Sequence, residues 1–147
     1  MASELKIWFD GACHNAKGAL TPMGVGLVIK MDDETIVEMG YAPPLLGTSN
    51  VAEWIGCYLA ITRAIELVEK HHIRSIEIFS DSLLIVSQMN GQFEVRSEQL
   101  RPYFDICTTL FKKIKKFSTI THVRREFNKE ADVQSKIGLR NSLYHLN

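Results

Sequence analysis

In the N-terminal part of the chain the apolar residues fall in short runs bounded by turn formers, a pattern of strands rather than helices. "LKIWFD" (5–10), "MGVGLVIKM" (23–31) and "ETIVEMGYA" (34–42) are three such runs. Asp32 and Asp33 between the last two predict a tight turn, so an antiparallel meander is expected. "YAPPLLGTSN" then interrupts every regular pattern with adjacent prolines and a glycine. Beyond it the apolar spacing becomes helical. "SNVAEWIGCYLAITRAIELVEK" opens on Ser49 and Asn50, which are capping residue types, and is apolar around most of its circumference, as a buried helix would be. "IRSIEIFS" (73–80) predicts a strand, "DSLLIVSQMNG" a short helix stopped by Asn90 and Gly91, and "EQLRPYFDICTTLFKKIKKF" a longer helix with Pro102 in its first turn. "STITHVR" (118–124) is a fifth strand and "FNKEADVQSKIG" (127–138) a last helix. The order βββαβααβα describes an α/β fold. Its five-stranded mixed sheet has three antiparallel strands, then parallel crossovers, and helices flank it.

Composition narrows this little. The 147 residues suit one domain, 1–147, with a core of about 5–138 and a C-terminal tail over 139–147; 46% hydrophobic and 23% charged residues are ordinary for a globular chain. Lysine plus arginine and aspartate plus glutamate are 17 each, so an overall basic charge does not itself point to nucleic acid. Cys13, Cys57 and Cys107 give neither a disulfide framework nor a zinc signature, and Cys13 with His14 finds no second pair at finger spacing. "MASELKIWFD" lacks a basic segment followed by a long apolar one. The expected compartment is cytoplasmic, the expected state a monomer, and no membrane span is expected.

The chemistry-bearing residues are acids at strand ends. Asp10 closes the first strand before Gly11, and Asp81 closes the fourth before a helix. Ligands of open α/β sheets bind at such carboxyl ends. Each acid also has a plain reading: Asp81 as a helix N-cap, Asp10 as a turn residue, and Glu53 as a first-turn glutamate favoured by the helix dipole. Taken together, clustered carboxylates repel unless a cation neutralises them, and oxygen donors on rigid elements suit Mg²⁺ or Mn²⁺. In the last helix Glu130 and Asp132 lie roughly 200° apart, so both cannot face one site. Asn128 is a reasonable N-cap, leaving Glu130 as a first-turn stabiliser. Asp132 falls beside the small residues Ala131, Ser135 and Gly138, which let a helix approach a sheet.

"IWFDGACHNAKG", "SNVAEWIGCYLAITRAIE", "IFSDSLLIVSQMNG" and "EFNKEADVQSKIG", in that order and on those elements, resemble the type 1 ribonuclease H family, in its shorter, reverse-transcriptase-like branch. The resemblance runs from about residue 5 to 138. It implies Asp10, Glu53, Asp81 and Asp132 as carboxylates holding two Mg²⁺ ions, with Mn²⁺ as a substitute. It also implies hydrolysis of the RNA strand of an RNA/DNA hybrid to 5′-phosphate and 3′-hydroxyl ends. Gly11, Cys13 and Asn15 match the segment that touches RNA 2′-hydroxyls, and Thr48 and Ser49 match positions that hold nucleic-acid backbone.

The chain departs from the more familiar family pattern in several places. "VRREFN" replaces a histidine-bearing glycine-rich loop, so the catalytic histidine has no evident counterpart; His122 is expected to be a packed or surface residue of the fifth strand. "DVQSKIG" stands where "DALA" followed by Lys or Arg is usual. Arg124 and Arg125 are placed to meet phosphate, while the lysines of "KKIKK" (112–116) suit either a solvated face or a substrate contact. Trp8 and Trp54, each in an apolar run, are expected in the core. Two rival functions remain at this stage. One is a DNA-cutting nuclease on the same fold, with double-stranded RNA also open as a substrate; the other is a binding module without catalysis. A haloacid-type phosphatase is disfavoured, because Ala12 stands where its second aspartate belongs.

Overall fold

The computed structural model describes residues 2–14 and 19–142. Strand β1 (Ser3–Cys13) pairs antiparallel with β2 (Thr21–Met31), and β2 with β3 (Glu34–Tyr41). The turn between β2 and β3 forms at Asp32 and Asp33, both in the left-handed region (φ 50° and 69°). Asp32 Oδ1 fixes this turn by accepting from the Glu4 N–H at 2.9 Å. A two-residue strand, β4 (Leu46–Gly47), pairs with the start of β2 inside the stretch read as loop.

Helix α1 (Ser49–Lys70) then crosses to β5 (Ile73–Ser80), which lies parallel to β1; α2 (Leu83–Met89) and α3 (Arg101–Phe111) lead to β6 (Ser118–His122), parallel to β5. The last helix, α4 (Lys129–Arg140), runs two residues past the expected core boundary. The sheet order is β3-β2-β1-β5-β6. From β1 the chain builds the sheet first in one direction and then in the other. The connectivity therefore reverses between β1 and β5, and their carboxyl ends border a switch point.

Alternation along β1 divides the sheet's two faces. Leu5, Ile7 and Phe9 are fully buried with α1's Val51, Ala52, Trp54, Cys57 and Ile61, and Phe111 and Cys107 of α3 join that core. The opposite face of β1, β2 and β3 receives α4. That helix sits very close, because a Cβ at Gly26 would meet Ala131 O and Ser135 N, and one at Gly24 would meet Ser135 O and Leu139 N. Glycine at these positions is required by proximity rather than by backbone conformation.

Several boundaries and placements differ from the sequence reading, each for a local reason. Thr48, not Ser49 or Asn50, caps α1: its Oγ1 accepts from Val51 N at 3.3 Å. The long third helix ends at Phe111 instead of 117, where Lys112, Lys113, Lys115 and Lys116 would repel at i,i+3 and i,i+4 spacing. Tighter turns take over, including a 3₁₀ turn at Lys115–Phe117, and still bury Ile114. Trp54 is core and meets the Phe104 ring edge-on at 6.0 Å. Trp8 is not core; it lies half-buried on the α4 face, stacked on Phe79 at 5.1 Å, with Lys30 Nζ 5.3 Å from the ring centroid. The apolar run "IWF" conceals that Trp8 points opposite to Ile7 and Phe9. Among the described residues no helix is long and apolar enough to cross a membrane.

Candidate active site

Asp10 is the residue of β1 paired with Gly26, so its side chain emerges on the α4 face. Parallel pairing of Trp8 with Phe79 carries Asp81 to the neighbouring strand end. The α2 N-cap is Ser82, whose Oγ accepts from Ile85 N at 3.3 Å. Asp81 is thereby relieved of the capping role that was its plain alternative.

Glu53 comes from the other side of the sheet. It lies beyond the first turn of α1, so the dipole explanation of a glutamate at the helix start does not apply. Gly11 lets the helix come this near: a Cβ there would collide with the backbone of Ala52 and Glu53. Burial pushes the Glu53 carboxyl above its ordinary range. The Ser82 hydroxyl, which hydrogen-bonds it, and the Arg125 guanidinium pull it back, while the charge of Asp81 adds to the rise.

Asp10 is 8% exposed, and its carboxyl is pushed up to about 8. Desolvation is the largest cause. The charge of Asp81, a hydrogen-bonding contact with Asp132 and the charge of Asp132 add to it, and the Gly11 N–H opposes it. Asp132 presents Oδ2 to Lys136 Nζ at 3.1 Å, one helical turn on. The structure thus brings Asp81 and Asp132 each within electrostatic reach of Asp10, and Glu53 within reach of Asp81. Among the described residues no group of three or more His, Cys, Asp or Glu side chains is gathered closely enough to hold a metal ion by itself. Magnesium does not require one, because it keeps several waters and is commonly held by one or two carboxylates plus substrate phosphate. An all-oxygen donor set around an acid whose carboxyl burial and then its acidic neighbours push up is chemically suited to such a cation.

The other expected site residues are dispersed around this centre. Gly11 and Cys13 finish β1, with Cys13 Sγ 3.3 Å from His14 O. Asn15 lies outside the described residues. Ser49 is exposed at the start of α1, and Arg124 and Arg125 are exposed just before α4. Arg124 Nη1 stands 3.8 Å from Glu126, so its charge is partly engaged. His122 is an exposed strand residue.

Three contributors were not read in the sequence as part of the site, although Asn128 was expected to cap the last helix and Ser135 to lie in its small-residue stripe. Lys136 pairs with Asp132 at a legible i,i+4 spacing. Ser135, fully buried, donates to Asp132 O at 2.7 Å and lies 3.5 Å from Asp10 Oδ2; only the fold reveals this contact. Asn128 occupies the N-cap position but makes no side-chain cap. Its Nδ2 instead donates to Phe9 O at 3.0 Å, tying the entry of α4 to the backbone beside Asp10. Glu130, read as a dipole stabiliser, also pairs with Lys30 Nζ at 3.5 Å.

Comparison with known proteins agrees with this architecture. The pattern of a family described as reverse transcriptase-like matches residues 8–138. Ribonuclease HI of Halobacterium salinarum is 32% identical over 125 residues, covering 85% of this chain and 59% of that protein. The uncharacterized protein YpeP of Bacillus subtilis is 31% identical over 133 residues, covering 90% of this chain and 58% of that one. The chain therefore spans somewhat under two thirds of the length of these curated relatives. Among solved structures, LC11 ribonuclease H1 in complex with an RNA/DNA hybrid superposes with a TM-score of 0.81 at 26% identity, covering 97% of this chain and 99% of that one.

Proposed function

The chain belongs to the type 1 ribonuclease H family, in its reverse-transcriptase-like branch, and from that premise we propose that it is a metal-dependent endonuclease hydrolysing the RNA strand of RNA/DNA hybrids. The observation that carries the reading is the buried carboxyl of Asp10 at the switch point, faced by the charges of Asp81 and Asp132. A buried acid crowded by like charges is unfavourable unless a cation is due there.

In this reading Asp10, Glu53, Asp81 and Asp132 hold two Mg²⁺ ions, and Mn²⁺ substitutes. Bound there, such ions supply activation of the attacking water and stabilisation of charge at the leaving 3′-oxygen, which yields 5′-phosphate and 3′-hydroxyl products. The chain's own residues set the stage. Burial keeps Asp10 in a low-dielectric position, where its attraction to a cation is strong. Ser82 orients Glu53, and Lys136 partly neutralises Asp132.

Substrate is held by the surrounding residues. Thr48 uses its oxygen as an acceptor from Val51 N, which leaves its hydroxyl proton free for a phosphate oxygen. Ser49 stands at the N-terminus of a 22-residue helix, an end that favours anions. Arg125, whose charge already reaches Glu53, is suited to a phosphate lying across the acids. Gly11 and Cys13 present β1's last backbone groups to the RNA 2′-hydroxyls.

The test is cleavage of matched RNA/DNA hybrid, duplex RNA and duplex DNA with Mg²⁺ or Mn²⁺. The hybrid is expected to be cut in the RNA strand, and duplex DNA left intact. Cutting of duplex DNA would instead identify a DNA nuclease on the same fold. Binding of hybrid without metal-dependent cleavage would identify a binding module.

A further inference from the structure

We propose that Ser135 is a positioning residue for Asp10, fixing which oxygen of that carboxylate is turned toward a bound cation. The inference rests on the reading of Asp10 as a metal ligand. Ser135 stands where the "DALA" pattern that the family usually carries on this helix has its second alanine.

Ser135 is fully buried, and its Oγ has two acceptors within reach: Asp132 O at 2.7 Å and Asp10 Oδ2 at 3.5 Å. A serine hydroxyl has one proton to donate and rotates freely about its C–O bond. Asp132 O lies inside a regular helix and receives the N–H four residues on, so it can release the hydroxyl without being orphaned. An ionised Asp10 has no such substitute. Its other named donor is the Gly11 N–H, and one donor leaves a carboxylate free to turn about its terminal torsion. Turned from Asp132 O to Oδ2, the Ser135 hydroxyl would act with the Gly11 N–H to hold the plane of the carboxylate. The seating of α4 makes the placement rigid, because the backbone of Ser135 lies directly over Gly24 and Gly26.

The experiment measures Mn²⁺ binding to the nucleic-acid-free protein by the electron paramagnetic resonance signal of free Mn²⁺, for wild type, Ser135→Ala, Ser135→Cys and Asp10→Asn. Thermal unfolding in chelator is measured in parallel. Ser135→Ala is expected to weaken Mn²⁺ binding by about tenfold, as loss of a ligand's hydrogen-bond partner does. Its metal-free melting temperature should be unchanged or higher, because alanine is the better helix former and fits the same space. Ser135→Cys, with a weaker donor, should fall between wild type and alanine. Wild-type affinity in Ser135→Ala, while Asp10→Asn loses binding, would overturn the positioning role alone. A fall in metal-free melting temperature with unchanged affinity would mark a merely structural serine. Equal or absent binding in wild type and Asp10→Asn would overturn the reading of the site itself.

Discussion

Asp10 illustrates how a single residue's surroundings become a measurable property of the whole chain. In the unfolded chain its carboxyl titrates near the ordinary 3.8, and in the folded, metal-free protein at about 8. Between these values the folded state holds a proton that the unfolded state has lost. Metal-free stability therefore falls as pH rises through this window, by about 1.4 kcal/mol per pH unit where the slope is fullest. Glu53, raised by burial, acts in the same sense. Unfolding in chelator from pH 5 to pH 8 should show this decline in the wild type and a flatter profile in Asp10→Asn; equal slopes would contradict the assignment. The two acids of α4 provide a second contrast. Glu130 is exposed and, among the described residues, pairs with Lys30; such surface pairs contribute about 0–1 kcal/mol, so Glu130→Gln should leave hybrid cleavage within about twofold. Asp132→Asn should lower it by at least about a hundredfold, as loss of an electrostatic group at the reacting centre does. Comparable losses in both would show that the helix is misassigned. The different surroundings of the two acids were legible from helical spacing, since they are not on one face. What spacing could not show is the Ser135 hydroxyl reaching across to Asp10, because the residues are 125 apart in sequence.

Among the elements, α4 and β2 most clearly connect packing with the site. Glycines at 24 and 26 on β2, and at 40 on β3, let the helix backbone rest on the sheet, and that depth places Asp132 and Ser135 beside Asp10. Gly26→Ala would drive a methyl into Ala131 O and Ser135 N, backbone atoms that cannot swing aside. It should cost at least about 2 kcal/mol in urea unfolding, and it should weaken Mn²⁺ binding as well. Lost stability with intact binding would show that the helix can rise without disturbing the acids. Element type and order were readable from periodicity, because strand alternation and helix stripes are strong over these lengths. Ends were less so. The α3 terminus depends on four lysines repelling and on Ile114 finding the core, and the α1 cap depends on which of three adjacent polar residues adopts extended backbone. Trp8 was misplaced because an unbroken apolar triplet does not reveal which face its middle member takes.

At the scale of the molecule, the sheet order explains why acids so distant in sequence converge. The chain extends the sheet outward from β1, returns through α1 and adds β5 on the opposite side, so Asp10, three residues before the end of β1 and not its last residue as the sequence suggested, lies near Asp81, which directly follows the parallel β5. Glu53 approaches from the α1 face and Asp132 from the α4 face. Each layer of the fold therefore supplies an acid near these strand ends. This convergence was available to sequence reasoning through strand ends, but the raised carboxyls of Asp10 and Glu53 depend on burial that only packing creates. The direct test of the account is Mg²⁺-dependent cleavage of an RNA/DNA hybrid by wild-type and Asp10→Asn protein under identical conditions. The account predicts RNA-strand cleavage by the wild type, and its loss in a folded Asp10→Asn protein at least as stable as wild type in chelator. Equal cleavage by the two proteins would contradict it.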